Sequence, residues 1–175
     1  MQGKRHGYGT FKFDNGRSYE GEWENDTRNG RGIELFSNQD SYRGGYLDGK
    51  FDGLGNYRWA DGDSYLGKWK AGAKVGQGIW TSKNGERYEG YFLDGQFERQ
   101  GKYTWPNGPN EAYYEGEWKS GMKHGKGIEL YENGDMYVGM FSEGEPHGHG
   151  KYSYENGNIY IGNFENGIRN GLGRF

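Results

Sequence analysis

The chain has no cysteine, three prolines and few aliphatic residues among its 175 positions. Without thiols there is no disulfide framework and no thiolate zinc site, so noncovalent contacts alone must hold the fold. Leu, Ile, Val and Phe together number 24. That is about 14% of the chain, against the ~20% below which disorder is common, and it excludes a conventional aliphatic core. No window approaches eighteen apolar residues, and Met1-Gln2-Gly3-Lys4-Arg5-His6-Gly7 has no apolar run behind its basic residues. Neither a helical membrane span nor a signal peptide is expected, and the chain reads as cytoplasmic. A large charge of one sign is missing too: the net charge is −3, with residues 1–87 at +2 and residues 88–175 at −5. No polybasic run of the kind that holds anionic lipid occurs, and a single-strand nucleic-acid binder would need a net positive groove.

What the chain does have is glycine, 36 residues, and aromatics, 16 Tyr, 6 Trp and 9 Phe. The phrase Tyr-x-Gly-x-aromatic occurs as Tyr19-Gly21-Trp23, Tyr42-Gly44-Tyr46, Tyr65-Gly67-Trp69, Tyr88-Gly90-Phe92, Tyr114-Gly116-Trp118, Tyr137-Gly139-Phe141 and Tyr160-Gly162-Phe164. The tyrosines stand 23 residues apart, except for one spacing of 26. With that tyrosine as position 1, glycines recur at positions 3, 8, 12, 14 and 21, which hold 35 of the 36 and leave only Gly45. Glycine here is positional, and a fixed period of this length marks a repeat architecture. Six full repeats, 19–41, 42–64, 65–87, 88–113, 114–136 and 137–159, are flanked by partial ones at 1–18 and 160–175. Both ends fall inside a unit and neither carries a polar cap, so the chain reads as a segment of a longer array.

Each unit has the pattern of a β-hairpin. Alternation places Tyr65, Gly67 and Trp69 on one side of a strand and Leu66 and Lys68 on the other, and a second strand follows in Gly76-Gln77-Gly78-Ile79-Trp80-Thr81. Asn15-Gly16, Asp61-Gly62, Asn84-Gly85, Asn133-Gly134 and Asn156-Gly157 predict type I′ turns, and Asp48-Gly49, Asp94-Gly95 and Asn166-Gly167 repeat the device at positions 7 and 8. Strand glycines at positions 3, 12 and 14 are expected to leave backbone shelves on which large rings lie, so that aromatics replace the missing aliphatic core. The expected fold is all-β: a single-layer, twisted antiparallel meander of about 15 strands, an open half-pipe or rod.

These residues resemble the MORN family (membrane occupation and recognition nexus), whose repeat reads approximately Tyr-x-Gly-x-Trp/Phe-x-x-Gly-x-x-x-Gly-x-Gly with a later Asp/Asn-Gly. The resemblance runs from Gly3 to Phe175. It implies successive β-hairpins and a scaffold role in cytoskeletal, ciliary or membrane-associated assemblies, alone or attached to catalytic domains such as SET methyltransferases and lipid kinases. The departures are specific. Repeat one has Asp26 and Gln39 in place of the turn glycines, so its two turns are expected to differ. Repeat four has Arg99 at position 12 and extra residues in Pro109-Asn110-Glu111-Ala112-Tyr113. Repeats one and five read Ile33-Glu34-Leu35-Phe36 and Ile128-Glu129-Leu130-Tyr131, which moves apolar side chains to the opposite face; the readings are simple repeat drift, or a bend or second contact surface.

No Gly-x-Gly completes a dinucleotide or P-loop fingerprint. Three of the four histidines, His6, His124 and His147, share position 11, which argues for a repeat-structural role, and His147-x-His149 lacks further metal ligands nearby in sequence. Carboxylates such as Glu20, Glu22 and Glu24 sit singly on an outward face. No catalytic residue, metal or cofactor is expected, and the chain reads as a non-enzyme. Function is expected on the aromatic side, where Trp23, Tyr46, Trp69, Phe92, Trp118 and Phe141 from the first strands and Trp59, Trp80 and Trp105 from the second form a concave, partly open groove for a helical or extended protein segment. Self-association through the end repeats is a further expectation. The alternatives are a phosphoinositide or anionic-lipid binder using basic edges such as Lys68, Lys70 and Lys74, or the positioning module of a larger enzyme.

Overall fold

The computed structural model describes residues 3–106 and 111–174; Pro109 and Asn110 of the repeat-four insertion lie outside them. The strands are β1 (Gly7–Lys12), β2 (Ser18–Glu24), β3 (Thr27–Leu35), β4 (Ser41–Leu47), β5 (Lys50–Arg58), β6 (Ser64–Lys70), β7 (Ala73–Thr81), β8 (Arg87–Leu93), β9 (Gln96–Trp105), β10 (Ala112–Lys119), β11 (Met122–Leu130), β12 (Met136–Ser142), β13 (Glu145–Ser153), β14 (Ile159–Glu165) and β15 (Ile168–Arg174). They stand in the sheet in sequence order, one open antiparallel meander, and the described residues contain no helix. The sheet divides into two compact units, Met1–Lys83 with Leu93–Gly95, and Asn84–Phe92 with Gln96–Phe175.

In each unit the strand register aligns glycines into a row. Gly9, Gly21, Gly32, Gly44, Gly55, Gly67 and Gly78 face one another in succession in the first unit. Gly101, Gly116, Gly127, Gly139, Gly150, Gly162 and Gly173 do so in the second. The position-1 tyrosines lie across these rows, and each hydroxyl donates to the backbone carbonyl three residues on, as Tyr42 does to Gly45 O at 3.0 Å and Tyr137 to Met140 O at 3.0 Å. A Cβ on Gly44 would stand 2.5 Å from the Tyr42 hydroxyl oxygen, and one on Gly127 2.5 Å from the Tyr114 ring. The shelf expected at positions 3 and 14 is therefore real, and Tyr19, Tyr42 and Tyr65 in one unit and Tyr88, Tyr114 and Tyr137 in the other are fully buried on it.

Position 12 corrects the same expectation. Gly53 there has φ +86 with open space around it, and Arg99 takes the left-handed φ 58 at the equivalent place. The register of the hairpins slips near this position, so its glycine serves a β-bulge and not a ring.

The turns also exchange roles. Positive φ at both central residues, the type I′ signature, occurs at Asp48-Gly49, Asp94-Gly95 and Asn166-Gly167, whereas Asn15, Asp61, Asn133 and Asn156 keep ordinary φ beside their left-handed glycines. At those sites Gly16 N bonds Phe13 O and Phe13 N bonds Arg17 O, a three-residue loop closed by a left-handed glycine. The Asn15 side chain accepts from Arg17 N at 3.1 Å, and Asn133 from Asp135 N at 3.0 Å, which satisfies the loop without left-handed Asn. Repeat one does not differ after all: Asp26 and Gln39 adopt φ 71 and 73, and Gln39 N bonds Phe36 O as glycine does elsewhere. Each type I′ turn also bonds the preceding repeat, Gly49 N to Arg28 O at 2.9 Å and Gly144 N to Lys123 O at 3.0 Å.

Candidate protein-binding face

The tyrosine side of each unit is built in two levels. In the lower level the position-5 rings stand edge-on to the tyrosines: Trp69 against Tyr65 at 5.1 Å and Phe141 against Tyr137 at 5.1 Å between centroids. The indole N–H groups are taken by backbone carbonyls, Trp23 by Gly9 O at 3.2 Å, Trp69 by Gly55 O at 3.3 Å and Trp118 by Gly101 O at 3.0 Å. Trp23, Tyr46, Trp69, Phe92, Trp118 and Phe141 are all buried. Six of the nine residues placed in an open groove by sequence are thus core, because each ring is covered by those of neighbouring strands.

The upper level is what solvent meets. Trp80 and Trp105 are half-buried on the second strands, and Trp59 is half-buried immediately after β5. Tyr57 packs on Trp59 at 4.6 Å and Tyr103 on Trp105 at 4.6 Å. Asp40 fastens one such ring, accepting the Tyr57 hydroxyl at 2.6 Å and Ala60 N at 2.8 Å; the Tyr57 bond holds the carboxyl below the usual aspartate range. Position 10 supplies a cover, which the aromatic count passed over, for every position-1 tyrosine except Tyr137, where it is Pro146. Phe51 stacks on Tyr42 and Phe97 on Tyr88, both at 3.8 Å. Elsewhere the cover is a cation: Lys74 Nζ lies 5.1 Å from the Tyr65 centroid and Lys123 Nζ 5.6 Å from that of Tyr114. The signal available in the sequence was a phenylalanine or a cationic side chain nine residues after six of the seven tyrosines, with Pro146 after Tyr137 as the exception.

Two buried carboxylates replace aromatics at position 16. Glu34 is wholly buried, receiving Arg17 Nε, Arg28 Nη1 at 2.7 and 2.6 Å, and the Tyr46 hydroxyl at 2.8 Å. Burial, reinforced by the Glu34 charge, raises the Tyr46 phenol's pKa and keeps it a donor. Glu129 is buried and accepts Lys123 Nζ at 2.5 Å, with the Tyr131 phenol beside it, while its Oε2 has no hydrogen-bond partner. With the glutamates turned in, Ile33 and Leu35 in one unit and Ile128 in the other are exposed on the opposite face. The lysines offered as a basic edge separate. Lys68 and Lys70 both lie on that opposite face, Lys70 paired with Asp52 at 3.2 Å, whereas Lys74 sits among rings on the tyrosine side. Among the described residues no three potential metal ligands converge.

The family model for the MORN repeat matches residues 1–16, 19–41, 42–64, 65–87, 88–109, 114–136, 137–159 and 160–175. No curated protein matches the chain in sequence. Among solved structures, the TCP domain of SAS-4 (dCPAP) from Drosophila melanogaster, in complex with a proline-rich motif of Ana2 (dSTIL), is similar at 12% identity, covering 90% of each chain with a TM-score of 0.47. The TCP10 domain of Danio rerio CPAP in complex with a STIL peptide is similar at 15% identity over 87% of this chain and 76% of that one, with a TM-score of 0.34.

Proposed function

Since the chain belongs to the MORN-repeat family, we propose that it is a non-catalytic scaffold that binds a helical or extended protein segment on its tyrosine face, within a cytoskeletal, ciliary or membrane-associated assembly. The observation carrying this reading is the upper level of rings in each unit: Trp59 and Trp80 in the first and Trp105 in the second stay half-buried although the position-1 and position-5 rings of the same unit are buried. Half-exposed tryptophans on a rigid aromatic base are the side chains that dominate binding energy at protein interfaces. The strands supply the rigidity, and the segment contributes apolar side chains that complete the burial.

The test is selection of a random dodecapeptide display library against the protein, with the variant carrying Trp59→Ala, Trp80→Ala and Trp105→Ala as counter-target. Recovery of peptides that bind the wild type and lose about tenfold or more on the variant supports the reading. Near-UV circular dichroism checks that the variant keeps its packed tyrosines. Binders indifferent to the three tryptophans would reject the face.

A further inference from the structure

The cations covering the tyrosines are not equivalent. Arg28 is paired with Glu34 and Lys123 with Glu129, both carboxylates six residues further on at position 16. Arg5, at the same position of the first partial repeat but over Phe11 and Trp23, is paired with Asp26 at 3.0 Å. Where Lys74 looks for the same partner, repeat three has Trp80. Lys74 Nζ lies 4.5 Å from the Trp59 centroid and 5.1 Å from that of Tyr65, and among the described residues it has no ion pair and no hydrogen-bond acceptor. The carboxylate closest in influence, Asp63, lies outside ion-pair distance, and its Oδ1 accepts Lys83 N at 3.0 Å. Burial lowers the ammonium's pKa.

An ammonium carries three donors, and ring faces attract its charge without accepting those hydrogens in full. A half-buried cation in that state is a place where an incoming carboxylate gains a charge-assisted hydrogen bond without first breaking an internal one. Trp59 beside it and Trp80 in the position of the missing glutamate supply the apolar walls. Resting on the reading of this face as a protein-binding surface, we propose that Lys74 anchors the side-chain carboxylate of an Asp or Glu in the bound segment, with the flanking apolar residues of that segment lying on Trp59 and Trp80. The first unit thereby selects acidic-apolar segments, and the partner returns to Lys74 the carboxylate that repeats one and five carry internally.

The dodecapeptide selection is run in parallel on the wild-type chain, Lys74→Gln and Lys74→Glu. The expected wild-type pool is enriched in Asp or Glu at one position between apolar residues. Changing that acid to its amide in a synthetic winner weakens binding to the wild type about tenfold and to Lys74→Gln less than twofold. Lys74→Glu enriches Lys or Arg at the same position. Peptides that require the tryptophans but show no acid enrichment, or an acid-to-amide loss equal on wild type and Lys74→Gln, overturn the anchor while leaving the face intact; absence of any tryptophan-dependent peptide overturns both. Should Lys74→Gln fail to fold, the amide swap measured on the wild type and on Lys74→Arg decides: the anchor stands only if both lose about tenfold.

Discussion

Repeats one and five carry nearly the same stretch, Ile33-Glu34-Leu35-Phe36 and Ile128-Glu129-Leu130-Tyr131, and bury its glutamate in opposite degrees of comfort. Glu34 is held by Arg17, Arg28 and the Tyr46 hydroxyl. At the equivalent places around Glu129 stand Ala112, Lys123 and Phe141, so of the three donors only the cation remains, the Tyr131 phenol stands beside it where repeat one has Phe36, and Oε2 goes without. The motif differs only in Phe36 against Tyr131; most of the other surroundings come from the preceding and following repeats. A buried ion pair is stable only when its remaining lone pairs are also met, and here that condition is set by residues six to seventeen positions away in sequence.

Alkali attacks both repeats alike and most severely. Burial pushes Tyr19, Tyr65 and Tyr137 from 10.0 to about 12, and raises Tyr114 as well, because the shelves accept only the neutral phenol. A raised folded pKa gives stability that is complete below pH 10 and lost as pH climbs from 10 toward 12. Chemical denaturation followed by circular dichroism should therefore show a flat plateau to about pH 9 and cooperative loss above 10; stability constant through pH 11 would contradict the buried phenols.

Removing charge separates the two repeats. Glu34→Gln leaves two arginines facing an amide and should cost about 4 kcal/mol, whereas Glu129→Gln, which places an amide N–H where Oε2 is orphaned, should cost about 1 kcal/mol. Urea midpoints measure both, and equal losses would erase the contrast. The glycine rows provide the control: Gly32→Ala and Gly127→Ala press a Cβ into Tyr19 and Tyr114 and should each cost about 3 kcal/mol, the same in both repeats. The smallest effects come from exchanging one oxygen. Tyr46→Phe should lower stability by about 1.5 kcal/mol, and Phe141→Tyr, which supplies Glu129 with the missing donor, should raise it by about 1 kcal/mol. No gain from Phe141→Tyr would mean that Oε2 is satisfied in solution by water.

The 23-residue phase made the meander and the glycine shelves legible, because one tyrosine above two glycines is a local pattern repeated seven times. It misassigned glycines wherever two backbone needs share a residue type. Position 12 requires left-handed φ, and Arg99 meeting that requirement at φ 58 was the clue within the sequence. Asn at position 20 uses its side chain where a backbone solution had been expected, since an oxygen two residues from the loop N–H offers an unstrained alternative. The floor of the tyrosine face was harder to read. Whether Trp69 is surface or core depends on what lies over it, and Phe51, packed 5.2 Å away, belongs to the hairpin before it.

The bond from each type I′ turn to the preceding repeat, Gly49 N to Arg28 O and its successors, makes the joints between neighbouring hairpins alike. Mechanically, such joints are loaded one after another from an edge. An array of this kind yields to force by peeling hairpins singly, each releasing the contour length of one repeat, so that damage at one end shortens the sheet without unravelling it.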